Sequence, residues 1–205
     1  MNSFKTVKGI AEEVTVIQRS KFICTVKGVE SEEDAKAFIA EIRKKHSLAT
    51  HNCYAYIADE KGLIQKFSDD GEPQGTAGMP ILNVLKSQSL YKTAAVVTRY
   101  FGGIKLGAGG LTRAYGNAVK QALLNAEIKD MFKACFICVN ASYTAYKKIS
   151  QNIDAFAKTV SVEYGEGVTA SFAVKEEDKD RLLNFIKETA FDVEITEKGG
   201  GFFPF

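Results

Sequence analysis

Between Tyr100 and Gly116 the chain reads YFGGIKLGAGGLTRAYG, a glycine cluster set between a strand-like run and a helix-like one. Glycine gives up more conformational freedom on folding than any other residue, so the cluster needs a compensating use. Without Cβ atoms in the way, backbone N–H groups can approach a ligand closely, and a helix beginning directly behind them favours a bound anion. Lys105 and Arg113 could supply formal charge. The alternative is purely structural: Gly102 and Gly103 turn the chain, while Gly107, Gly109 and Gly110 permit close packing. Nucleotide fingerprints do not fit, because a G-x-G-x-x-G reading from Gly107 meets Thr112 and no G-K-[ST] occurs.

Just upstream, Ser68-Asp69-Asp70-Gly71-Glu72-Pro73 is a dense acidic turn. Asp69, Asp70 and Glu72 could hold Mg²⁺ through oxygen, or could cap backbone N–H groups before Pro73 and the next helix. Capping is the ordinary role, and no metal site or cofactor is assigned. His46 and His51 are the only imidazoles, with Cys53 nearby. If His51–Cys53 is strand, both point to one face and a general base there is conceivable, but no matched nucleophile accompanies it, so no catalytic residue is named.

The uneven spread of charge is the most informative feature of composition. From Pro73 through Ala126 there is no Asp or Glu, while Lys86, Lys92, Arg99, Lys105, Arg113 and Lys120 all fall there. That segment is locally positive, although the whole chain carries a formal net charge of only +2. The expectation is a concave seat for negatively charged oxygens, built from amides near Gly107 and the neighbouring cations. No apolar run approaches the roughly 20 residues of a membrane helix, and the opening MNSFKTVKGIAEE lacks an apolar h-region. The expected location is the cytoplasm, with no membrane partner. The four cysteines are too sparse for a disulfide scaffold. Cys135 and Cys138 have metal-knuckle spacing, but in a strand they point to opposite faces, which favours buried structural thiols.

Two blocks of elements must position these groups. In the first, residues 14–29 suit a strand pair. Ser31-Glu-Glu-Asp34 caps a helix with the stripe Ala35, Phe38, Ile39 and Ile42. A hairpin follows across residues 60–62, then a short helix with Pro80 in its first turn, a strand TAAVVTRYF, the glycine loop and a helix marked by Leu111, Ala114, Tyr115, Ala118, Val119 and Ala122. The pattern breaks around residues 125–133. The second block reads β-α-β-β-α-β, a ferredoxin-like order. Its first helix carries Tyr143, Tyr146, Ile149, Ile153 and Phe156, and GGGFFPF at 199–205 is expected as a tail, free or docked in an apolar groove. The class is α+β, with domains at 1–128 and 134–198.

SDDGEPQGTAGMPIL (68–82), RYFGGIKLGAGGLTRAYG (99–116) and RSKFI (19–23) together resemble the signature of the IMPACT/YigZ family, and the likeness covers the whole chain. It implies a first domain similar to domain IV of elongation factor G, with a ribosomal-protein-like βαβ fold, and a second similar to its domain V. It also implies a translation-linked or nucleic-acid-binding role without an established catalytic activity. Eukaryotic relatives resemble only the first domain and regulate the starvation response by competing for the activator of a translation-initiation kinase. They carry an additional N-terminal protein-binding domain that this sequence lacks, so the resemblance does not extend to that partner.

The resulting expectation is an RNA- or ribosome-associated binding protein. Arg99, Lys105, Arg113 and Lys120 would neutralise phosphates, the amides of the 102–110 glycines would contact phosphate oxygen, and Tyr100 or Phe101 would stack on a base. Two alternatives remain open. One is a Mg²⁺-dependent enzyme on a phosphorylated small molecule, by analogy with kinases of the galactokinase and homoserine kinase type, whose paired serines KLGAGGLT lacks. The other is a regulator that binds only protein partners.

Overall fold

The computed structural model describes residues 2–205 and divides into two compact units, Phe4–Asp130 and one formed by the N-terminal end with Met131–Phe205. The first unit contains β2 (Ile10–Ile17), β3 (Ser20–Gly28), α1 (Glu32–Lys45), β4 (His51–Ile57), β5 (Gln65–Ser68), α2 (Gly78–Ser87), β6 (Thr93–Tyr100) and α3 (Gly107–Leu124). It also holds most of β1 (Ser3–Lys8), a strand the sequence reading did not anticipate, whose Lys5 bridges to Leu90.

The strands β2 to β6 form an antiparallel sheet in the order β2-β3-β6-β4-β5. Because β3 and β4 both run antiparallel to β6, the β3-α1-β4 crossover is a split β-α-β with β6 inserted between its strands. That placement explains why TAAVVTRY is almost continuously buried rather than alternating. Ala95 and Val97 face α2 and α3 in one core, whereas Ala94 and Val96 face α1 in another. On α1, Ser31 accepts the Asp34 amide and the stripe Ala35, Phe38, Ile39 and Ile42 is buried.

The β2–β3 turn is a two-residue hairpin in which Gln18 and Arg19 both have positive φ (46° and 67°), the type that matches strand twist. It is built without glycine.

The second unit contains the greater part of β7 (Glu127–Ala141), then α4 (Tyr143–Ser150), β8 (Lys158–Tyr164), β9 (Val168–Lys175), α5 (Lys179–Thr189) and β10 (Val193–Pro204). Its strand order, β10-β7-β9-β8, is the ferredoxin-like arrangement. Three expectations are corrected. Residues 127–133 are strand, not a break. The helix expected to reach Phe156 ends at Ser150 and is followed by a single 3-10 turn at Ile153–Ala155. Residues 199–204 are not a tail: beyond a register shift between Glu197 and Gly200 they continue β10, pairing from Gly200↔Cys135 to Pro204↔Met131. Phe203 and Phe205 pack edge-on to Phe136 and Phe132, which anchors the segment. Cys135 and Cys138 are both buried free thiols.

Candidate functional site

Three strands bring one row of side chains to the end of the first sheet nearest α3. Phe22 of β3 and His51 of β4 are the register partners of Arg99 on β6, so the three lie side by side. Glu72 reaches this row from the acidic turn. Its Oε1 accepts from Arg99 Nη1 at 2.7 Å and from the Tyr115 hydroxyl of α3 at 2.7 Å. Burial, with Cys53 and Glu72 beside it, pushes the Tyr115 hydroxyl well above its ordinary range, so it stays protonated and donates. The guanidinium also lies over the rings of Phe22 and Phe101, 5.4 and 5.2 Å from their centroids, and its Nη2 donates to Ser20 Oγ at 3.3 Å.

The acidic turn is thus a structural device. Asp69 accepts from the amides of Gly75, Ala77 and Gly78, capping α2. Asp70 pairs with Arg43 and accepts from the Asn52 amide at 2.6 Å. Gly71 turns with φ of 87°, where a Cβ would stand 3.4 Å from His51. His51 Nδ1 lies 2.8 Å from the Asp70 carbonyl, which can only accept, so Nδ1 carries the proton. Its Nε2 is 3.8 Å from Glu72 Oε1. Burial pushes the neighbouring Cys53 thiol up to about 12, which makes it an inert packing group.

The glycines divide by role. A Cβ on Gly102 would stand 2.1 Å from the carbonyl carbon and oxygen of Arg19, so the loop rests directly on the hairpin backbone. Gly103 is in the left-handed region with φ of 87°, and a Cβ on Gly110 would meet Leu106 at 3.0 Å. Gly107 is likewise left-handed, with φ of 69°, and Gly103, Gly107 and Gly109 are all exposed. The N-cap position, Leu106, gives α3 no side-chain hydrogen bond, and no acidic residue stands in its first turn. The first amides of α3 therefore open outward.

The single cationic seat expected from the sequence is corrected in two respects. Arg99 does not face solvent, because its charge is paired with Glu72 inside the protein, where a lone guanidinium would be costly to desolvate. Tyr100 points to the opposite side of the sheet, with its hydroxyl 3.0 Å from His46 Nδ1, and is not beside the glycine loop. Lys105, Arg113 and Lys120 are exposed, and among the described residues none lies within ion-pair distance of a carboxylate. They border two clefts rather than one. Lys105 lines a cleft of ≈ 410 Å³ with His51, Glu72, Arg99 and Gly107. Arg113 and Lys120 line another of ≈ 770 Å³, with Asn117, Asn83 and Gln18. The start of α3 is the ridge between them.

Sequence reasoning missed Ser20 and Phe22 as partners of Arg99, and Tyr115 as the partner of Glu72, since register and contacts between distant segments are not readable from one element alone. Among the described residues no helix is long and apolar enough to cross a membrane.

Residues 18–123 match the family model described as the Impact N-terminal domain. The chain is 42% identical over 189 residues to the IMPACT family member YvyE of Bacillus subtilis, covering 92% of this chain and 87% of that one. It is 37% identical to an IMPACT family member of Haemophilus influenzae, covering 90% and 87%. A solved structure described only as a hypothetical protein superposes with a TM-score of 0.62 at 30% identity, covering 95% of this chain and 97% of that one.

Proposed function

This chain belongs to the IMPACT family, and on that premise we propose that it is a translation-linked, non-catalytic protein that associates with RNA, free or on the ribosome, in the cytoplasm. The observation that carries the reading is the surface of α3. Its uncapped first turn, with Gly107 and Gly109 exposed, continues into Arg113 and Lys120, two cations seven residues apart on one helical face and without an acidic partner among the described residues. A Cβ on Gly109 would lie 3.6 Å from the Arg113 guanidinium, so that side chain folds back over the first turn. Amide donors and exposed cations in one line suit a phosphodiester backbone, which is read by charge rather than by sequence. Phe101, 46% exposed, offers the base-stacking surface that Tyr100 does not.

The test is RNA binding by filter retention across a salt series. Binding should weaken steeply with salt, and Arg113→Glu and Lys120→Glu should each lower affinity about tenfold and flatten the salt slope by about one unit or more. No retention at low salt, or retention by both variants equal to that of the unaltered protein, removes the proposal.

A further inference from the structure

The ≈ 410 Å³ cleft on the other side of the α3 ridge has features that a backbone-tracking surface does not require. Its polar lining holds a row of a half-buried imidazole, a buried carboxylate and a buried guanidinium, His51, Glu72 and Arg99, assembled by two strands and a capped turn. Arg99 is only 5% exposed, and its Nε is buried without a hydrogen-bond partner among the described residues. A donor left over in so dense a network is an unmet requirement. With Nδ1 committed to Asp70, His51 has Nε2 as its remaining polar atom. Lys105 stands at the rim beside the amides of Gly107 and Ala108. Formal charges within the cleft are Arg99 and Lys105 against Glu72, so with neutral His51 it holds one net positive charge besides the helix dipole. Phe101, Leu106, Leu111 and Pro73 supply the apolar part of the lining, and the Phe101 ring is exposed.

From this juxtaposition we infer that the cleft binds a nucleotide through a terminal phosphate monoester. The phosphate dianion takes the first amides of α3, at Gly107 and Ala108, and the Lys105 ammonium, and its second negative charge gains most from a cleft of net positive charge. His51 Nε2 contacts a phosphate hydroxyl or oxygen according to its protonation. The base lies on the exposed ring of Phe101. A mononucleotide fits a pocket of this size. The ligand is either a free mononucleotide or the phosphorylated end of an RNA strand, since both present the same group.

This site shares the start of α3 and the Phe101 ring with the RNA reading but not the Arg113–Lys120 stripe, so variants at Lys105 and at Lys120 tell the failure of one from the failure of the other. The experiment titrates the whole protein with AMP, adenosine and inorganic phosphate by calorimetry, and follows the His51 imidazole by NMR. AMP should bind at one per chain and shift the His51 resonances, with adenosine at least tenfold weaker. Lys105→Glu, an exposed substitution whose folding is checked by thermal unfolding, should weaken AMP at least tenfold. Lys120→Glu should leave AMP unchanged while lowering RNA retention. Displacement of AMP by a 5′-phosphorylated oligoribonucleotide, and not by its 5′-hydroxyl twin, identifies a strand end; displacement by neither identifies a free nucleotide. No AMP binding at millimolar concentration, or binding unaltered by Lys105→Glu, overturns the inference.

Discussion

Arg99 Nη1 and Glu72 Oε1 stand 2.7 Å apart, with side chains only 6% and 3% exposed. The pair joins β6 to the acidic turn, and through Ser20 and Tyr115 it also reaches the β2–β3 hairpin and α3. Four segments far apart in the chain thus meet on one guanidinium and one carboxylate. Breaking such a pair from one side strands a buried charge.

Glu72→Ala should therefore destabilise the first unit by about 3–5 kcal/mol, measured by urea unfolding. Arg99→Met combined with Glu72→Leu should recover most of that loss, because no uncompensated charge remains. If the single and double variants are equally unstable, the charge is not what the site depends on.

Adjacent glycines should respond oppositely to substitution. Gly103→Asn keeps a side chain that visits the left-handed region and meets nothing within 4 Å, so it should cost well under about 1 kcal/mol. Gly102→Ala drives a methyl group into the Arg19 backbone and should cost about 1–3 kcal/mol or more. Paired thermal melts of the two variants decide the matter, and equal costs would mean the loop does not rest on the hairpin.

Stability should also carry a histidine-dependent slope. Burial and the neighbouring Lys45 ammonium hold the His46 imidazole below its ordinary value of 6.5, and its Nε2 is buried without a partner among the described residues. A folded value below the unfolded one means that the unfolded chain binds more protons just below pH 6.5, so stability rises with pH there. The contribution is complete above that value and is lost as pH falls through the lowered folded one. Urea midpoints between pH 7.5 and 5 should fall more steeply for the unaltered protein than for His46→Gln; parallel curves would refute this.

Local patterns carried most of the fold. The α1 stripe and its Ser31 cap, Pro80 in the first turn of α2, and the alternation of β9 are all short-range signals, and each element formed where it was expected. Two elements depended on pairing at long range and were not legible. Strand β1 finds a neighbour at Leu90, and residues 199–204 become strand only because β7 lies alongside. At the site, the open amides of α3 could be expected from glycine content, whereas the fate of Arg99 could not. An acid-free stretch of sequence says nothing about a carboxylate arriving from another segment, and Glu72 lies one residue before that stretch begins. Tyr100 failed for a simpler reason: neighbours in a strand face opposite ways.

The bend at Gln18–Arg19 has a practical side. Protruding hairpin ends are ordinarily where an epitope or fluorescent graft is inserted with impunity. Here the peptide at Arg19 is the bed on which Gly102 lies, and extra residues would lever the approach to α3 out of place, deforming both of the hollows that helix separates. An outwardly dispensable corner is in effect the foundation stone of the surface around the start of α3.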